Sequence, residues 1–96
     1  MKPRHDDLFP SIRLVLTNHW YDETTSGRKR IEYRVMTARW MKLIHARRDT
    51  LCFVTFSRAY TKTTTTYSIT NIDLGTCPIP GWEGYYIRIH FKDIPA

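Results

Sequence analysis

Apolar and polar positions alternate over several stretches of the chain, with the two-residue period of a half-buried strand. Ile12, Leu14 and Leu16 are set off by Arg13 and Val15, which predicts a strand from Ser11 to Thr17. Between Arg30 and Met36 the charged Arg30, Glu32 and Arg34 fall on one face and Ile31, Tyr33 and Val35 on the other, so Tyr33 is expected to face the core. Leu51 to Ser57 is rich in Phe and Val. The run from Thr61 to Thr66 continues into Tyr67, Ser68, Ile69 and Ile72, and β-branched threonine favours strands, so residues 63 to 73 read as one long strand. Arg58 to Lys62 is short enough to close these two into an antiparallel hairpin. Tyr85 to Lys92 alternates as a last strand.

Two short helices complete the pattern. Asn18 is placed to cap a helix from His19 to Ser26, with its acids in the first turn and Gly27 as the left-handed residue that ends it. Ala38 to Arg47 carries Trp40, Met41, Leu43 and Ile44 at helical spacing, with Arg39, Lys42, His45 and Arg47 elsewhere on the wheel. The loop 75 to 84, with Pro78, Pro80 and three glycines, is expected to be irregular. About five strands and two short helices make an α+β, mostly β chain, which must form a small barrel or a sheet with one covered face.

Length and composition hold this to one domain over residues 1–96, with 1–10 as an N-terminal extension. Ninety-six residues with 42% hydrophobic positions supply one compact core, which excludes a multidomain enzyme. No apolar run approaches the ~18 residues of a membrane span, and the residues behind Met1 lack the apolar core of a signal peptide, so a soluble, cytoplasmic protein with no membrane partner is expected. The two cysteines, Cys52 and Cys77, have no partner at metal-ligand spacing and read as reduced thiols. His5, His19, His45 and His90 are scattered, and neither a metal nor a cofactor is expected.

Charge changes the picture most. The net charge is +6. Arg28, Lys29, Arg30, Arg34, Arg39, Lys42, Arg47 and Arg48 stand against the single acid Glu32, a local charge of +7 that exceeds the chain total, so the remainder is slightly acidic. Tyr33 and Trp40 interleave this segment. Basic residues with aromatics suit an anionic partner such as nucleic acid or a nucleotide, or an acidic protein surface. Glu32 between two arginines can pair with Arg34 or Arg30, and Lys29, just past the glycine turn, can reach a neighbouring cleft as a phosphate contact, a base or a nucleophile.

The segment Ser26-Gly27-Arg28-Lys29-Arg30-Ile31-Glu32-Tyr33-Arg34, followed by Trp40, resembles the ASCH domain of the PUA-like superfamily. In that family a short helix ends in a G-x-K turn and the next strand reads x-x-E-x-R; Gly27, Lys29, Glu32 and Arg34 match in register. The closing strand Tyr85 to Phe91 looks like the family's last one. The resemblance implies a small β-barrel of about five strands flanked by two short helices, with RNA or a nucleotide bound in a cleft lined by Lys29, Glu32 and Arg34, and with Trp40 nearby. Some members are amidohydrolases of N4-acetylcytidine that use a lysine in the turn, a threonine three residues later and a glutamate from a helix before the last strand. Here Lys29 is kept, Glu32 stands at the threonine position, and Glu83 is the carboxylate in the loop before the last strand.

Three readings follow. The first is an RNA or nucleotide-binding module, for single-stranded RNA or a free nucleoside, using Arg28, Lys29, Glu32, Arg34 and Trp40. The second is a hydrolase of a modified nucleoside or of RNA, with Lys29 as base or nucleophile and Glu32 or Glu83 as proton partner. In the third, an interaction or inhibitor protein, the basic face engages an acidic protein. Charges at Arg58, Lys62, Arg88 and Lys92 would guard exposed strand edges and keep the chain monomeric.

Overall fold

A computed structural model describes residues 10–95; the expected extension 1–10 lies, but for Pro10, outside the described residues, as does His5. The chain runs as β1 (Ser11–Leu16), α1 (Asn18–Thr25), β2 (Ile31–Arg34), α2 (Ala38–Leu43), a 3-10 turn (His45–Arg47), β3 (Phe53–Arg58), β4 (Thr64–Thr76) and β5 (Tyr85–Lys92). It is an α+β, mostly β fold: one curled five-stranded sheet, a half-barrel, with two short helices.

The strand order is β1-β3-β4-β5-β2, parallel between β1 and β3 and antiparallel elsewhere. β1 and β2 therefore form the two edges of the sheet, and among the described residues no backbone ladder closes it into a barrel. This corrects the expected edge guard, since Arg58, Lys62, Arg88 and Lys92 sit on or beside interior strands. The predicted antiparallel β3–β4 hairpin forms, its turn running from Arg58 to Thr63, one residue past the expected Lys62, with Ala59 at φ 50. β4 runs three residues past its expected end because Leu74, Gly75 and Thr76 pair with Ile87, Tyr86 and Tyr85; a bulge between Ile69 and Asn71 leaves Thr70 without a partner in the ladder.

Local chemistry sets the helix ends. Thr17, not Asn18, caps α1: its Oγ1 accepts from the Trp20 amide at 3.5 Å, which starts the helix one residue early and leaves the first turn without an acid. Asp22 and Glu23 instead pair sideways with Arg58 and Arg28. Gly27, at φ 89, ends the helix as expected, its amide bonded to the Thr24 carbonyl. Thr37 caps α2 through its Oγ1 at 3.2 Å from the Trp40 amide. The predicted helix 38–47 breaks at Ile44, whose φ of −115° places its wholly buried side chain in the core and passes the chain into the 3-10 turn.

The core fills the inside of the curl. Leu14, Val54, Phe56, Ile87 and Ile89 are almost completely buried, and the rings of Phe56, Tyr67 and Phe91 meet at centroid distances of 4.9 to 6.0 Å. α1 closes one end, its Tyr21 hydroxyl 2.6 Å from Thr65 Oγ1 on β4. Among the described residues no helix is long and apolar enough to cross a membrane.

Candidate ligand cleft

β2 supplies the centre of the site. Glu32 is paired with Ile89 and Arg34 with Ile87, and residues paired across strands point to the same face. Both charged side chains therefore project inward with the core isoleucines. Tyr33, paired with Arg88, projects from the other face, reversing the orientation expected from alternation. The two-residue period is the expected one, and its sense is the opposite. The usual assignment of the apolar face to the inside fails because three charged groups satisfy one another there. Tyr33 is nevertheless buried, outside the main core cluster, and burial pushes its hydroxyl above the ordinary tyrosine range.

Those three groups are Lys29, Glu32 and Arg34. Lys29 Nζ donates to Glu32 Oε1, while Arg34 Nε and Nη2 fork onto Glu32 Oε2 at 3.0 and 2.9 Å. The pairing predicted for Glu32 is thus made with Arg34, whereas Arg30 turns away to Asp93 at 3.0 Å. Glu32 is 5% exposed, a burial that an ionised carboxylate tolerates only when it is paired. Arg34 Nη2 also donates to the Val15 carbonyl at 3.0 Å, so the cluster bridges the two open edges of the sheet.

At this opening lies a cleft of about 360 Å³, within the range of small-molecule sites. All three tryptophans of the chain line it: Trp20 from α1, Trp40 from α2 and Trp82 from the loop before β5. Lys29 Nζ stands 5.5 Å from the Trp20 ring centre and the Arg34 guanidinium 5.3 Å from that of Trp40. Thr17, Ile79 and Val35 contribute to the wall. The cleft thus offers flat aromatic surfaces, two cations and a carboxylate whose Oε1 keeps one lone pair to spare.

Of the residues singled out from sequence, Lys29, Glu32, Arg34 and Trp40 meet here. Arg28 stands to one side: its side chain is 66% exposed, pairs with Glu23 at 2.9 Å, and lines an adjoining hollow with Trp20, Lys29 and Ile79 instead of the cleft itself. Glu83 is exposed on its loop, next to Trp82, and is likewise absent from the wall. Sequence reasoning missed Trp20, Trp82 and the Val15 carbonyl. The signal available for the tryptophans was their number alone, because the chain brings them from three separate elements.

A second polar cluster occupies the opposite face. Arg88 donates to both oxygens of Asp73, at 2.8 and 2.7 Å, and His90 Nε2 lies 3.0 Å from the same carboxylate. The Arg88 guanidinium, and then His90, hold the Asp73 carboxyl down at about 2. No group of His, Cys, Asp and Glu that could hold a metal occurs among the described residues, and Cys52 and Cys77 are free thiols. No family model, curated protein or solved structure matches the chain.

Proposed function

We propose that the cleft binds a nucleotide or one base of single-stranded RNA, as the resemblance of the Gly27, Lys29, Glu32 and Arg34 pattern to ASCH domains of the PUA-like superfamily suggests. The observation that carries this reading is the meeting of all three tryptophans around the buried Lys29–Glu32–Arg34 cluster. A base is flat, with a π-face for indole and edge groups that donate and accept; its nucleotide carries a phosphate for lysine and arginine. Glu32 accepts from an exocyclic amino group, and Lys29 and Arg34 meet phosphate or carbonyl oxygens. Hydrolysis has less geometric support: Glu83 stands outside the cleft wall, and Glu32, the carboxylate that Lys29 meets, is also forked by Arg34.

The test is a titration of the purified protein with a short single-stranded RNA, a matched DNA and N4-acetylcytidine at two salt concentrations, reading tryptophan fluorescence and ultraviolet absorbance together. With every tryptophan at the cleft, binding shifts the fluorescence, weakens with salt and is lost in Lys29→Met and Trp40→Leu. An absorbance change with N4-acetylcytidine would install a hydrolase in place of a binding module. Silence in every channel rejects both.

A further inference from the structure

The ligand cleft does not end at the tryptophans. Past Arg34 and Trp40 it continues into a groove of about 540 Å³ along the outer edge of β1, which pairs with no further strand among the described residues, and the two share Val15, Leu16, Thr17, Arg34 and Trp40 as walls. The groove adds Arg13, Arg39 and Tyr60, and none of its lining residues is acidic. Arg28, Arg30, Arg34, Arg58 and Arg88 each pair with a carboxylate, whereas Arg13 and Arg39 have no carboxylate partner among the described residues. Tyr60, at the tip of the β3–β4 hairpin, is 95% exposed, leaving nearly its whole ring open at the rim.

Resting on the nucleotide reading of the cleft, we infer that the ligand is a single-stranded oligonucleotide that runs on from the cleft, with the adjoining nucleotide in the β1-edge groove. Arg13 and Arg39 take its backbone phosphates, and its base stacks on Tyr60. A free nucleoside would leave this groove empty. Two unneutralised arginines in an acid-free groove call for an anion, and aromatic surfaces along the same path call for bases between the anions. An acidic peptide would satisfy the arginines but would have no use for the exposed ring and the indoles in series.

Hexaadenylate RNA, its DNA counterpart and AMP, titrated over a range of salt into the wild type, the Arg13→Gln/Arg39→Gln double variant and Tyr60→Ala, decide the matter. The expected result is that the hexanucleotides bind the wild type at least about tenfold tighter than AMP, since the flanking phosphates add counterion release. In the double variant the slope of log affinity against log salt becomes shallower by about 1.4, at about 0.7 for each phosphate that is no longer neutralised. Tyr60→Ala weakens the hexanucleotide at least about fivefold, the effect of removing one stacked base. Tighter binding of RNA than of DNA adds a contact to the 2′-hydroxyl, and equal binding leaves recognition to phosphates and bases; both keep the proposal. Equal affinity for AMP and hexanucleotide, or an unchanged salt slope in the double variant, overturns the oligonucleotide inference and leaves the cleft reading standing. Competition by polyglutamate as strong as by hexaadenylate overturns it in favour of an acidic protein surface. Failure of all three nucleotides to bind overturns both readings.

Discussion

Arg34 on one edge strand donates from Nη2 to the Val15 carbonyl on the other, 3.0 Å across the opening of the sheet. The same guanidinium forks onto Glu32 at 3.0 and 2.9 Å, so one side chain holds the buried carboxylate and ties the two free edges together. A lysine has no planar fork and cannot do both. Arg34→Lys is expected to lose the tie to Val15 and cost about 1.5–3 kcal/mol, the range for a charged hydrogen bond. Arg34→Met also strips Glu32 of one partner and is expected to cost more, about 3–5 kcal/mol. Urea unfolding of both variants checks this. Equal midpoints for Arg34→Lys and the wild type would show that the tie contributes nothing.

The Asp73 cluster predicts an acid limb in stability. Its carboxyl falls from 3.8 to about 2 in the folded state, chiefly through the Arg88 hydrogen bonds. A folded value below the unfolded one means a contribution that is complete above the unfolded value and is lost as pH drops through the folded one. The loss therefore falls between about pH 5 and pH 2. Asp73 keeps a third of its surface in water, and solvent screening reduces the contribution to about 1–2 kcal/mol. Urea unfolding of wild type and Asp73→Asn at pH values spanning this window should show the gap between them closing towards the acid end; a constant gap would remove the carboxylate as the cause.

Gly75 tests the same pair from beneath. A Cβ built on this residue would overlap the Arg88 guanidinium, which lies across the backbone at that point. Because Arg88 is pinned to both Asp73 oxygens, Gly75→Ala must break that grip before the guanidinium can move. A cost of about 1–3 kcal/mol is expected, the range for overpacking. In the Asp73→Asn background Arg88 loses its charged, two-oxygen grip and moves aside more readily, so the same substitution should cost less by at least about 0.5 kcal/mol, the lower end for contacting sites. A double-mutant cycle measured by urea denaturation checks the coupling, and strict additivity would refute it.

Much of this fold was legible in the sequence, because strands declare themselves by alternation and short helices by their caps and glycines. The last strand, the β3–β4 hairpin and the turn at Gly27 all followed from local chemistry. What alternation could not supply was the sense of β2. Which face of an edge strand looks inward depends on its register with β5, a pairing of residues more than fifty positions apart. The end of β4 is hidden for the same reason: Gly75 and Thr76 belong to a strand only because Tyr86 and Tyr85 lie beside them. Lys29, Glu32 and Arg34 were visible as a cluster because two strand positions and a turn bring them together locally. Trp20 and Trp82 join them only through tertiary structure.

Tyr21 connects stability to the cleft. Its hydroxyl lies 2.6 Å from Thr65 Oγ1 and its ring is buried in the core, while its neighbour Trp20 stands in the cleft wall on the same helix. Tyr21→Phe keeps the ring and removes the side-chain hydrogen bond that ties α1 to β4. An expected cost of about 1 kcal/mol follows from a single neutral hydrogen bond, larger if the Thr65 hydroxyl is left unsatisfied. Thr65→Val in the same background removes the orphaned hydroxyl and should recover part of that loss. If α1 is held in place by this contact, the Tyr21→Phe variant also shows a red-shifted tryptophan emission as Trp20 gains solvent, and the double variant retains that shift while regaining stability. Recovery of both together would mean that packing, and not the hydrogen bond, positions Trp20.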